Sequence, residues 1–148
     1  LYTDLRPGML DDLGLSATIE WQTTQFARQS GIACKFARLD DVDMPDPIST
    51  LAVYRVFQEL MFNGVRHSRA TDVEVSVERR HDHVTVLISD NGTGVSGEDV
   101  RSYPSVELAA MRERLRECGG TLSIHSYKSS GTVTEINMPL MPHANTGQ

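Results

Sequence analysis

Two pairs of alternating apolar runs constrain this chain more than anything else in it. Val73, Val75 and Val77 alternate with Glu74, Ser76 and Glu78, and beyond Arg80-His81-Asp82 the alternation returns in Val84, Val86 and Ile88. Successive side chains on a strand point to opposite faces, so each run buries one face and wets the other. Together they read as a hairpin. Thr121 to Tyr127 and Thr132 to Met138, joined by Lys128-Ser129-Ser130-Gly131, form a second alternating pair. A sheet that is dry on one side calls for a layer of helices there.

The helices come from the rest of the chain. From Leu13 to Arg28, Leu15, Ile19, Gln22 and Phe26 mark one helical face with Trp21 beside it, and Ser30-Gly31 stops the run. Ile32, Cys34 and Phe36 then suit a half-buried strand, followed by an acidic loop from Asp40 to Pro47. Asp46 is placed to cap a long helix that runs toward Ala70, and Pro47 suits its first turn. Within it Val53, Val56, Phe57, Leu60 and Gly64 make one continuous stripe. After a polar loop from Val95 to Pro104, Leu108, Met111, Leu115 and Cys118 recur at helical spacing, with Ser105 as a cap and Gly119-Gly120 as the end. The expected fold is α/β: a two-layer sandwich with a mixed, mostly antiparallel sheet of about five strands and three helices on one face. Residues 1–12 are expected to be the end of a linker, 13–140 the domain, and 141–148 a disordered tail.

The 148 residues favour one domain with room for a real core. A formal net charge of −6 argues against bulk attraction to nucleic acid or an anionic membrane. No apolar run approaches the roughly 20 residues of a membrane helix. Cys34 and Cys118 are isolated, which suits reduced thiols in a cytosolic domain better than a disulfide or a metal site. The chain opens at Leu1 without Met, so it is expected to be a piece of something longer.

Two constellations carry chemistry. Glu59, Asn63 and His67 lie four apart and fall on one face of the long helix. Neighbouring loops could satisfy these polar groups; alternatively the face holds a metal ion and an anionic ligand. Asp90-Asn91-Gly92-Thr93-Gly94 stands at the end of an alternating run. A carboxylate there can accept a hydrogen bond from an exocyclic amine while glycine backbone passes close to a flat ring. A tight turn that happens to use Asp, Asn and Gly explains the pentapeptide alone equally well. Its place after the Glu59-to-Asn63 helix and before Gly131-Thr132 makes the joint signal stronger.

In these motifs the chain resembles the ATP-binding catalytic domain of a two-component sensor histidine kinase, of the GHKL ATPase superfamily. More narrowly, it is similar to the nitrate-sensor-like branch, whose partners are response regulators with helix-turn-helix DNA-binding domains. Leu5-Arg6-Pro7 with Leu10-Asp11-Asp12-Leu13-Gly14-Leu15 matches the exit from the dimerisation helices, and Tyr54 to Asn63 with Arg66-His67 matches the N box. Asp90 to Gly94 matches the first glycine box, Met111-Arg112-Glu113-Arg114 the helix after the lid, and Gly131-Thr132 with Met138-Pro139-Leu140 the closing strand. The resemblance implies ATP and Mg²⁺ as cofactors. It implies that Asn63 coordinates Mg²⁺ and that Glu59 is catalytic, orienting water on that ion or activating the reacting group. Arg66 and His67 would approach the phosphates or ribose, Asp90 the adenine amino group, and Gly92 and Gly94 the base. Thr132 would support Asp90, and Met111 would join the nucleotide-binding set.

The chain departs from the family where a second glycine box is expected: Ser105, Glu107 and Ala110 stand in place of glycines. Those glycines let backbone N–H groups at a helix N-terminus approach the triphosphate. The alternative is therefore a degenerate, weakly or non-ATP-binding module that works through protein contacts. Nothing before Asp11 offers a His, so the phosphoacceptor is expected on a separate dimerisation domain. His81-Asp82-His83 is read as a solvated turn, not a metal site. The resemblance implies a cytoplasmic domain with no direct nucleic-acid contact, and leaves open whether the parent protein is membrane-anchored.

Overall fold

The computed structural model describes residues 9–44, 46–65, 68–92, 105–127 and 131–140. Helix α1 spans Met9–Ser30, strand β1 Ala33–Leu39, and helix α2 Pro47–Glu59, which widens into a π-helical turn over Leu60–Gly64. The hairpin follows as β2 (Asp72–Arg79) and β3 (His83–Asp90), then helix α3 (Ser105–Arg116) and the second hairpin, β4 (Thr121–Tyr127) and β5 (Gly131–Pro139). The five strands form one sheet in the order β1-β2-β3-β5-β4. Among the described residues β1 pairs with β2 in parallel, and β2 with β3, β3 with β5 and β4 with β5 antiparallel.

The alternation in the sequence sets the layers. Val73, Val75, Val77, Val84, Val86, Ile88, Ile136 and Met138 are all buried, at 2% exposure or less. They pack with Leu15, Ile19 and Phe26 of α1, Val53, Val56 and Phe57 of α2, and Met111 and Leu115 of α3 in one core. Phe26 meets Phe62 edge-to-face with ring centroids 5.2 Å apart, which ties α1 to the π-helical turn. Between α1 and α2 the seam is partly polar: the buried Tyr54 hydroxyl donates to the Gln22 side-chain oxygen, and burial pushes that phenol up to about 12.

Four boundaries differ from the expectation. Among the described residues the first helix already includes Met9, ahead of Leu13, and Gly14 kinks it at φ 87°, a conformation open to glycine. β1 runs on to Leu39 because the register shifts between Phe36 and Arg38, a bulge that bends this edge strand. The long helix is regular only to Glu59; beyond it the Val65 N–H donates to the Leu60 carbonyl, five residues back. α3 ends at Arg116, where the Gly120 N–H donates to the Leu115 carbonyl at 2.8 Å and Gly119 takes φ 88°. That is a glycine-terminated helix end of the kind Gly119-Gly120 announces. Asp46 caps α2 as expected, accepting from the Ile48 N–H at 3.1 Å and the Ser49 hydroxyl at 2.7 Å.

Candidate functional site

Asp90 is the last residue of β3, paired with Val73 on one side and Thr132 on the other. Its side chain is buried at 7% exposure. Burial raises its carboxyl above the usual range, opposed by backbone N–H groups of Gly92 and Thr132. The Gly92 N–H donates to Asp90 Oδ1 at 2.7 Å. Such a carboxylate, at the end of a strand and largely shielded from bulk solvent, has spare acceptor capacity.

Glycine is required around it for lack of space. A Cβ on Gly92 would lie 2.7 Å from the Ser68 carbonyl oxygen and 2.8 Å from Asp90 Oδ1. Ser68 belongs to the turn after the π-helical segment, so β3 and the exit of α2 meet backbone to backbone. Asn91 joins the same two segments: its Oδ1 accepts from the N–H groups of Thr71 at 2.9 Å and Asp72 at 3.0 Å.

Glu59 and Asn63 flank the change from α to π winding. Asn63 Nδ2 donates to Glu59 Oε2 at 2.7 Å, with Asn63 exposed and Glu59 half-buried. The widened turn keeps this pair, four apart, side by side. The carbonyl oxygen of a carboxamide is the kind of hard donor that Mg²⁺ takes alongside substrate phosphates.

The other expected residues divide. Thr132 is half-buried beside Asp90 in the register and gives it a backbone N–H. Met111 is buried at 5% and belongs to the hydrophobic core. Arg66, His67 and Gly94 lie outside the described residues. Ala110 sits within α3 and is exposed, and among the described non-glycine residues only Arg69 has a positive φ. Ala110 therefore does not occupy a conformation that favours glycine. Glu107 lies in the first turn of α3 and is exposed. His83 Nδ1 pairs with Asp82 Oδ1 at 2.9 Å on the exposed turn.

A depression of about 380 Å³ opens between β1, β2 and β3, lined by Cys34, Lys35, Asp72, Glu74, Ser89 and Asn91 among others. It touches Asp90 but no residue of α2, so it is not where a ligand could reach both constellations. Sequence reasoning missed the part played by Asn91 and the π-helical turn. The first had a signal, an Asn directly after a strand-terminal Asp, a residue type that bonds nearby backbone. The second had none.

A family model described as "Histidine kinase-, DNA gyrase B-, and HSP90-like ATPase" matches residues 49–142. The oxygen sensor histidine kinase NreB of Staphylococcus carnosus is 31% identical over 140 residues, covering 95% of this chain and 40% of that protein. The sensor histidine kinase MctS of Rhizobium johnstonii is 34% identical over 138 residues, covering 92% of this chain and 30% of that protein. The chain thus spans less than half the length of the curated relatives it matches. In three dimensions it is similar to the histidine kinase domain of the Erythrobacter litoralis EL346 blue-light activated histidine kinase, with TM-score 0.70 and 19% identity over 85% of this chain and 61% of that one.

Proposed function

The chain belongs to the histidine kinase-, DNA gyrase B- and HSP90-like ATPase family as an ATP-binding histidine kinase catalytic domain, and from that premise we propose how its own residues serve phosphoryl transfer. The buried Asp90 carboxylate, with glycine backbone beside it, is the single observation that carries the reading. Asp90 accepts from the adenine amino group, and its buried setting makes a ligand donor worth more than one offered in water. Gly92 keeps the approach to the base free of a side chain, and Thr132 holds Asp90 through its N–H.

Asn63 would hold Mg²⁺ through its side-chain oxygen, with Glu59 fixing that carboxamide and orienting water beside it. Mg²⁺, when bound, neutralises charge on the β- and γ-phosphates. No group of three or more His, Cys, Asp or Glu among the described residues is arranged to hold a metal. An ion here would complete its shell with phosphate oxygens and water, as Mg²⁺ commonly does. Arg66 and His67 are proposed for the phosphates or ribose, Gly94 for the base, and Met111 for the floor of the pocket.

Within a full-length kinase the γ-phosphoryl group passes to a His on the dimerisation domain and onward to a helix-turn-helix response regulator. Access to ATP places the domain in the cytoplasm. No helix among the described residues is long and apolar enough to cross a membrane. Calorimetric titration of the 148-residue chain with a non-hydrolysable ATP analogue tests the reading. Saturable 1:1 binding, strengthened by Mg²⁺ and not competed by GTP, is expected. No binding with or without Mg²⁺ would instead favour a module acting through protein contacts, a reading that the exposed Glu107 keeps in play.

A further inference from the structure

We infer that Asn91 is a positioning residue for nucleotide binding, fixing the distance between the base-reading end of β3 and the metal-side turn of α2. The inference rests on the roles proposed above for Asp90 and Asn63, and goes beyond them to what holds the two in register.

Those residues sit on elements far apart in sequence. Asn63 belongs to the π-helical turn, and the chain leaves it through Val65 and a tight turn at Ser68 before entering β2 at Asp72. Asp90 closes β3, whose last pairing with β2 is Val73 with Asp90. Beyond that rung the ladder has run out, and Asn91 extends it by one step using both its backbone and its side chain. Its backbone N–H donates to the Asp72 carbonyl at 3.2 Å. Its Oδ1 accepts from two successive backbone N–H groups, Thr71 at 2.9 Å and Asp72 at 3.0 Å. Its Nδ2 donates to Thr71 Oγ1 at 3.0 Å and Asp72 Oδ2 at 3.3 Å. Few side chains could do this: the position needs an acceptor and a donor on one short, planar group.

The clamp is continuous with the turn leading back to α2. The Ser68 N–H and hydroxyl donate to the Val65 carbonyl at 3.0 Å and 2.7 Å, and the Ala70 N–H donates to the Ser68 hydroxyl at 3.3 Å. Gly92 closes the other side, leaving no room for a Cβ beneath the Ser68 carbonyl. Asp90 and the metal-side turn are therefore joined along one short path of hydrogen bonds and chain, to which Asn91, among the described residues, contributes the side chain from the β3 end. Each bond, being exposed, adds little to folding. Their effect lies in geometry: a ligand that touches both ends feels the spacing, and one that touches Asp90 alone does not.

That difference is the test. Adenosine, observed by NMR, probes the base site, and a non-hydrolysable ATP analogue with Mg²⁺, followed by calorimetry, probes both sites at once. Asn91→Ala is expected to weaken the Mg-analogue complex about tenfold, the loss of one or two neutral hydrogen bonds' worth of positioning, and adenosine by less than about twofold. Exchanging the pair, Asn91→Asp with Asp72→Asn, keeps the acceptor for both N–H groups and an amide opposite a carboxylate. It is expected to return the Mg-analogue affinity to within about threefold of the parent. Equal weakening of both ligands, no weakening of either, or no rescue by the exchange overturns the assignment. If Asn91→Ala does not fold, Asn91→Ser, too short to reach the same donors, carries the comparison; failure of both to fold shows a purely structural residue and likewise overturns it. Failure of the parent chain to bind either ligand defeats the nucleotide reading itself, a distinct result.

Discussion

Gly131 lies against Asp90 so closely that a Cβ added to it would fall 1.9 Å from the Asp90 carbonyl oxygen. The glycine also takes φ 92°, where an L side chain is strained whatever the space. The two glycine motifs of the sequence thus meet in space. One closes the strand that carries the carboxylate, and the other opens the strand paired with it.

Gly131→Ala is therefore expected to destabilise the domain by about 3 kcal/mol or more, since the obstructing atom is backbone and cannot swing aside. Chemical denaturation measures the loss. Base affinity should fall with it, because the Asp90 backbone must move to make room.

Asp90→Asn separates stability from recognition. Burial raises the Asp90 carboxyl in the folded state. A carboxyl raised in this way supports folding most when protonated, below its unfolded value, and that support is lost as pH rises through the folded value. At pH 7 the ionised form is thus a burden on the nucleotide-free domain. Asp90→Asn should melt higher than the parent at pH 7, with the difference closing as pH falls to the ordinary carboxylate range. Its preference for ATP over GTP should disappear, because an amide also donates where only an acceptor matches the amine. A lower melting temperature at pH 7 would contradict the burial argument.

Asn63→Ala is expected to leave binding of the Mg-free analogue unchanged and to remove the enhancement by Mg²⁺. Glu59→Gln keeps an acceptor for Asn63 Nδ2, so binding should survive. Phosphorylation of a supplied dimerisation domain should drop by about a hundredfold or more, the usual range for losing a general base. Equal turnover by this variant and the parent would remove Glu59 from the chemistry.

Ser105, Glu107 and Ala110, which stand where the family has glycines, do not contribute alike. Ala110 lies inside α3 without positive φ, so Ala110→Gly should not improve nucleotide binding and should cost about 1 kcal/mol of helix stability. Glu107 occupies the first turn, where its carboxylate suits the helix dipole but opposes phosphate at the same place. Glu107→Gly, alone or with Ser105→Gly, should tighten nucleotide binding about three- to tenfold, and adding Ala110→Gly should give no further gain. Calorimetry on each variant separately decides it.

Much of this was legible because sheet alternation and helix periodicity are local signals. Val73 to Ile88 announced their hairpin, Asp46 its cap and Gly119-Gly120 a helix end, and each is where residue type dictated it. The layered fold followed from counting faces. The π-helical turn at Leu60–Gly64 was not legible: nothing in Leu-Met-Phe-Asn-Gly forbids an ordinary helix, and packing such as Phe62 on Phe26 is tertiary. The bulge at Ala37 was hidden for the same reason, since register depends on the partner strand. At the site, residue types could nominate Asp90, Asn63 and Glu59, but not the meeting of Gly92 with Ser68 or of Gly131 with Asp90. Those contacts join segments whose spacing only the folded sheet fixes.

The position of β3 has a consequence for how the domain breathes. It is the middle strand of five, bonded along its length to β2 on one side and β5 on the other, with Asp90 paired on both. Backbone amides in such a strand exchange with solvent only through the largest openings of the molecule. The carboxylate proposed to read the base is thus anchored to the last part of the protein to come apart. Local fluctuation is expected to loosen what surrounds the ligand more readily than the central strand that carries the acceptor.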